Sequence, residues 1–298
     1  MRTTPLIALV LASSAAGQAP PSTDIHLFDV SGLGDERPSI SPAARITDRD
    51  GYDNQPSFSA DGKVVFYTSI RDGQADIYAF DLSTGKTKQV TATPESEYSP
   101  TPLGAAELSV VRVEGDGRQL LWRYPLAGGV PQQVATEAEP VGYHAWGAEG
   151  GLLLFVLGEP HTLQWRPAGG PTRVLASDIG RSLLTIPGDG GFSYVAKRRP
   201  ESPESWWVMR LDPKTLESTP IIATPKDRED VAWDPEGRLW VADGTKLLRH
   251  CPACGGGWRT MVDLAKFDLG IVSRLAFAPN GRSLAVVSER PRTEVPQP

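Results

Sequence analysis

A pattern of about 44 residues runs through the chain six times, and a recurrence of that length restricts the fold more than any other property of the sequence. Its clearest copy reads Gln55-Pro56-Ser57-Phe58-Ser59-Ala60-Asp61-Gly62-Lys63-Val64-Val65-Phe66-Tyr67-Thr68-Ser69, then Asp76-Ile77-Tyr78-Ala79-Phe80-Asp81-Leu82-Ser83-Thr84-Gly85, then Lys88-Gln89-Val90-Thr91. The runs are rich in β-branched and aromatic residues, and Asp61-Gly62 and Thr84-Gly85 supply the positive-φ turn chemistry between them. One copy is therefore four short strands. A large apolar residue followed four positions later by Gly marks the copies: Phe58 with Gly62, Trp146 with Gly150, Ile186 with Gly190, Trp233 with Gly237 and Phe277 with Gly281. The residue before each Gly is Asp61, Glu149, Asp189, Glu236 and Asn280, which predicts five turns on one face. Leu103 fills the slot in the remaining copy, where Ala106 and Glu107 replace the turn pair. From Phe58 the successive spacings are 45, 43, 40, 47 and 44, the length of a four-stranded propeller blade.

The last copy stops early, and its missing half stands at the other end of the chain. Asp24-Ile25-His26-Leu27-Phe28-Asp29-Val30 matches Asp76 to Leu82 at four of seven positions, and Ala44-Arg45-Ile46-Thr47 echoes Lys88-Gln89-Val90-Thr91. A ring closed by its own N-terminal strands accounts for the split, because closure pairs edges that an open array leaves exposed. The fold class is all-β, a six-bladed β-propeller over residues 20–290, with 24 to 30 pairing beside 283 to 288. The 30 Gly and 27 Pro also argue against long helices.

Ahead of the propeller, Arg2 precedes the apolar run Pro5 to Ala12 and then the small residues Ala15-Ala16-Gly17. That order predicts a secretory signal peptide over residues 1–19. With no Cys after the small residues, a lipid anchor is not expected, and the product is read as periplasmic or secreted. Residues 291–298 read as a Pro-rich, disordered tail. The net charge of -6 excludes a phosphate-backbone footprint, so nucleic acid is not a partner. A monomer without cofactor is expected.

The segment Tyr52-Asp53-Asn54-Gln55-Pro56-Ser57-Phe58-Ser59-Ala60-Asp61-Gly62, with Arg71-Asp72-Gly73, Asp76-Ile77-Tyr78 and Thr84-Gly85, resembles the WD-like propeller repeat of the C-terminal domain of TolB and its relatives. The resemblance is strongest in the first full blade. It implies the propeller fold, and a counterpart of the TolB N-terminal α/β domain is not expected. It also implies that the lead-ins to the innermost strands lie on one face, at the mouth of the central channel. Those lead-ins are Asp53-Asn54, Tyr98-Ser99, Tyr143-His144, Arg181-Ser182, Glu229-Asp230 and Ser273-Arg274.

Blades two to four depart most from the repeat, and a broken structural rule is a pointer to function. The candidate ligand-binding residues are therefore Tyr98, Arg112, His144, Glu159, His161 and Arg181, converging on one side of the mouth. Arg112 and Arg181 favour an anionic group, and cationic His144 and His161 would weaken its binding as pH rises through about 6.5. The function expected is a binding or scaffolding module for a protein segment, peptide or small anionic ligand. The alternative is a metal-assisted hydrolase or lyase, since His144, His161 and Glu159 compose a two-His one-carboxylate set. No catalytic residue is assigned, and no G-x-S-x-G elbow is present. Cys251 and Cys254 read as a small-loop disulfide or inert thiols, one ligand short of zinc even with His250. Trp146 and Trp233 share the Phe58 slot and are read as core, and one of Trp206 and Trp207 should face outward.

Overall fold

The computed structural model describes residues 20–134 and 136–290, so the expected signal peptide and tail lie outside the described residues. Two strands come first, β1 (Thr23–Ser31) and β2 (Ser39–Arg45). Blade one is β3 (Asp53–Phe58), β4 (Val64–Arg71), β5 (Gln74–Asp81) and β6 (Lys86–Gln89). Blade two is β7 (Ser96–Leu103), β8 (Glu107–Val113), β9 (Gln119–Pro125) and β10 (Gln132–Gln133). Blade three is β11 (Val141–Trp146), β12 (Leu152–Val156), β13 (Thr162–Arg166) and β14 (Arg173–Ser177). Blade four is β15 (Leu184–Thr185), β16 (Phe192–Ala196), β17 (Trp207–Leu211) and β18 (Ser218–Ala223). Blade five is β19 (Val231–Trp233), β20 (Leu239–Asp243), β21 (Lys246–His250) and β22 (Arg259–Asp263). The last two strands are β23 (Val272–Phe277) and β24 (Ser283–Glu289). They form blade six with β1 and β2, in the order β2-β1-β24-β23.

Closure is antiparallel and in register from Thr23 opposite Glu289 to Asp29 opposite Ser283, as the split repeat predicts. The echo between the two ends has a hydrogen-bond cause. In blade one the Ile77 N–H donates to Thr91 Oγ1 at 2.8 Å while the Val90 N–H donates to the Ile77 carbonyl at 2.7 Å. In blade six the Ile25 N–H donates to Thr47 Oγ1 at 2.9 Å and the Ile46 N–H to the Ile25 carbonyl at 2.9 Å. The repeated Ile and Val/Ile-Thr pairs thus fasten each outermost strand where it meets the third.

Blades stack face to face, so a middle strand is buried on both sides and loses the two-residue alternation of a half-exposed strand. Leu152-Leu153-Leu154-Phe155-Val156 is buried throughout. Two tryptophans of the marker slot also fasten neighbours: Trp146 Nε1 donates to Ser109 Oγ of blade two at 2.9 Å, and Trp233 Nε1 to Ser193 Oγ of blade four at 2.8 Å. The five Gly turns join the first and second strands of their blades, all with φ of 70° to 80°. Adjacent turns touch around the ring. A Cβ on Gly62 would sit 2.7 Å from Asn280, and one on Gly281 3.2 Å from Pro235. The disulfide Cys251–Cys254 closes a short exposed turn after β21. So small a loop adds about 2 kcal/mol at most. No helix among the described residues is long and apolar enough to cross a membrane.

The chain ends are also fastened by charge. Asp24 is 1% exposed and accepts from Arg290 Nε at 2.5 Å and Arg45 Nη2 at 2.8 Å, while Arg290 also reaches Asp48 and Asp50. Burial raises the Asp24 carboxyl, but Arg290, Arg45 and Thr47 outweigh it and hold the group below its ordinary value. Such a group stabilises the fold above its unfolded value, and the contribution disappears as pH falls through the folded one. Replacing Asp24 by Asn is expected to cost about 2 kcal/mol at neutral pH, about 5 °C in Tm. Thermal unfolding of both proteins between pH 7 and pH 3 checks this: the gap should close in acid, and equal Tm values at pH 7 would remove the clamp.

Candidate functional site

The innermost strands of the six blades surround a cavity of about 400 Å³. At the end of the first-to-second strand turns it is walled by Phe58, Trp146, Trp233 and Phe277, and at the opposite end by Gln55, Ser99, Tyr143, Arg181, Asp230 and Arg274. The collar is apolar because the marker slot is a packing position, whereas the other end collects the polar lead-ins. Gln55 and Ser99 adopt positive φ of 58° and 55° at irregularities in the β3–β4 and β7–β8 ladders. That kink lets Gln55 Oε1 accept from the Ser99 N–H at 2.8 Å, joining blades one and two beside the channel.

Charge occupies the far side of the same mouth. Arg181 grips Asp230 through Nε to Oδ1 at 3.0 Å and Nη2 to Oδ2 at 2.5 Å, a two-pronged pair of the geometry guanidinium favours. Glu229 receives the Arg181 N–H at 3.4 Å and Lys197 Nζ at 2.7 Å, and Lys197 lies 4.7 Å over the Trp206 ring. Arg274 donates Nη2 to the Tyr143 hydroxyl at 2.8 Å, and its Nε is 3.8 Å from Asp230. Burial would raise the Asp230 carboxyl, but Arg181, Arg274 and Lys197 hold it below its ordinary value. Three cations thus face two anions, and Arg181, Asp230 and Arg274 stand in the lead-ins of the innermost strands of blades four, five and six.

The six residues singled out from sequence are not one cluster. Arg181 stands in the charged array, and His144 lines the channel wall. Tyr98 is 1% exposed and packs with Val111, Leu121, Val141 and Leu154 in the core, where burial pushes its hydroxyl up to about 12. Arg112 forks onto Glu114 at 3.0 and 2.9 Å and lies 3.5 Å over Trp122, a self-contained pair on blade two. Glu159 is exposed, and His161 stacks 4.8 Å from Phe155 with its Nδ1 accepting from the Gly158 N–H at 3.2 Å.

His144 corrects the expected titration. Its Nε2 is 2.7 Å from Ser109 Oγ, which also receives Trp146 and donates to the Thr101 carbonyl at 3.2 Å. Burial pushes its pKa down to about 3, and His161 is likewise lowered by burial and by Lys197, so neither is a cation near neutrality. With His144 locked to Ser109 and Glu159 in an exposed loop, the two-His one-carboxylate set is not assembled. No group of three or more His, Cys, Asp or Glu among the described residues is arranged to hold a metal ion. Trp206 and Trp207 are both half-buried, with Lys197 and Arg199 over their rings, so neither faces fully outward.

The class defined here is a six-bladed β-propeller with a charged channel mouth. No known protein-family profile matches the chain. Among solved structures it is similar to a protein described as a TolB from Agrobacterium tumefaciens, with TM-score 0.67 and 16% identity over 92% of this chain and 100% of that one. TolB from Acinetobacter baumannii aligns with TM-score 0.57 and 15% identity over 90% of this chain, which spans 64% of that protein. A gluconolactonase from Xanthomonas campestris aligns with TM-score 0.60 and 12% identity over 93% and 99% of the two chains. The likeness is one of fold, in agreement with the TolB-type propeller repeat read from the sequence.

Removing the Asp230 charge leaves Arg181 and Arg274 facing one another. Asp230→Asn is expected to cost about 2 to 3 kcal/mol in urea unfolding, and Arg181→Gln should restore part of the loss. Unchanged stability in Asp230→Asn would mean that the array is a solvated rim.

Proposed function

We propose that this protein is an exported binding module that holds the carboxylate of a protein segment or peptide at its channel mouth. One observation carries the reading: Arg274 faces the channel with a single direct bond, to the neutral Tyr143 hydroxyl, while Asp230 is committed to Arg181. Arg274 lines the cavity with no second hydrogen bond and only a 3.8 Å approach to Asp230, and guanidinium binds a carboxylate through two parallel hydrogen bonds. The surplus of one positive charge at the mouth supports an anionic group. A cavity of about 400 Å³ accommodates the end of a chain, not a folded domain. The apolar collar of Phe58, Trp146, Trp233 and Phe277 suits the side chain next to that carboxylate.

Propellers of this shape include an enzyme by name as well as TolB, so fold alone does not select the activity. The site supports holding a ligand, because its charged groups are spent on one another and Arg274 alone among its three cations has no hydrogen bond to a carboxylate. The leader read over residues 1–19 puts the binding outside the cytoplasm.

Trp146 and Trp233 line the channel and report occupancy by fluorescence. Acidic tripeptides with free C-termini should bind, and Arg274→Ala should weaken them about 10- to 100-fold, the worth of a charge-assisted hydrogen bond. Equal affinity for both proteins would exclude Arg274 from the site.

A further inference from the structure

A second pair of acidic side chains lies away from the channel wall, between blades one and two. Asp76 lies near the start of β5 and is 6% exposed, and Glu97 lies near the start of β7 and is fully buried. The two carboxyls are near enough for the charge of one to act on the other. Neutral donors take one oxygen of each: Gln89 Nε2 donates to Asp76 Oδ2 at 3.1 Å, and Tyr124 donates its hydroxyl to Glu97 Oε1 at 3.0 Å, joined there by Thr93. The other two oxygens, Asp76 Oδ1 and Glu97 Oε2, are buried with no donor.

Among the described residues no cation bonds either carboxyl directly, and Arg112 reaches Glu97 only by way of the Tyr124 hydroxyl. From β8, Arg112 faces Glu97 across the ladder but forks onto Glu114. From β4, Arg71 lies over the Tyr78 ring of β5 at 3.8 Å. Tyr124 on β9 and Thr91 and Thr93 after β6 contribute only hydroxyls. The matching position at the closing interface is built differently, since Asp24 and Asp53 there have Arg45, Arg290 and Arg49 beside them. Two neighbouring buried carboxylates with no cation bonded to either repel, and one proton on the orphaned oxygens removes the repulsion.

We infer that Asp76 and Glu97 share one proton, written Asp76-COO⁻ with HOOC-Glu97, and that this proton latches blade one to blade two in a pH-dependent way. The latch stands beside a groove of about 540 Å³ between the same blades, where Gln89 and Tyr124 meet Phe66, Ala79, Val90 and Leu126. Loss of the proton therefore loosens an interface already incompletely filled. Burial, only partly offset by Thr93, Tyr124 and Thr91, pushes Glu97 from 4.5 up to about 7. The folded chain then binds the proton more tightly than the unfolded chain. Its contribution to stability is full in acid and is lost as pH rises through about 7.

The test compares the intact protein with Glu97→Gln, whose amide donates to Asp76 at every pH. Buried histidines titrate alike in both, so the readout is the ratio of their unfolding constants in urea. Wild type over variant, that ratio should rise about 100-fold from pH 5 to pH 8, and amide exchange in β6 and β7 of wild type should accelerate over the same range. A ratio constant within about threefold would overturn the latch. Should Glu97→Gln fail to fold, carboxyl carbon NMR of wild type decides the matter. One acidic side chain titrating between about pH 6 and 8 upholds the shared proton, and all titrating below about pH 5 overturns it.

Discussion

The pairing of β1 with β24 is the interaction on which the rest of the molecule depends. Each blade can bury its two faces only against neighbours, so an unclosed ring exposes a hydrophobic face at either end and two unpaired edges. Once Thr23 to Asp29 lie beside Ser283 to Glu289, all six innermost strands point at one axis. Arg181, Asp230 and Arg274, 49 and 44 residues apart along the chain, then meet within hydrogen-bonding or Coulombic reach. Closure is thus a condition of the site as well as of stability. Asp24, with Arg45 and Arg290, ties the two chain ends electrostatically where the strands tie them by backbone bonds.

Buried charge is handled in three ways around the ring. The closing interface neutralises its carboxylates with arginine, and the mouth of blades four to six alternates arginine and aspartate until one guanidinium is left over. At the interface of blades one and two no cation bonds the buried carboxyls, and the pair is left to a proton. Desolvation is the shared cost, since a buried carboxylate must be met by a cation, by enough donors or by protonation. Which solution a blade uses decides what it does: it closes the ring, offers a binding group, or responds to pH.

The ring, its closure and the shared face of the Gly turns were legible because they rest on local chemistry repeated many times. Asp-Gly turns, Ile and Val-Thr fastenings and marker-slot aromatics each leave a spaced trace. The site was legible only by position. The lead-ins Tyr143-His144, Arg181-Ser182, Glu229-Asp230 and Ser273-Arg274 were mapped to the mouth, yet weighting the irregular blades two to four drew attention to Tyr98 and Arg112. Tyr98 faces the inter-blade core because a strand sends successive side chains to opposite sides, and Arg112 has Glu114 two residues away to neutralise it. The signal that marks the site is the succession of Arg181, Asp230 and Arg274 in the lead-ins of three consecutive blades. The place of His144 on the channel wall was legible, but its neutral state was not, because its partner Ser109 is 35 residues away on another blade.

The central claim is that a surplus guanidinium at the channel mouth binds a carboxylate. Calorimetric titration of one tripeptide with a free C-terminus, against the same tripeptide amidated at that end, isolates the group in question. The free acid should bind at least about 10-fold more tightly, with the difference shrinking as salt rises from 0.05 to about 0.5 M, because the mouth is partly open to solvent. Equal affinities for acid and amide would contradict the account.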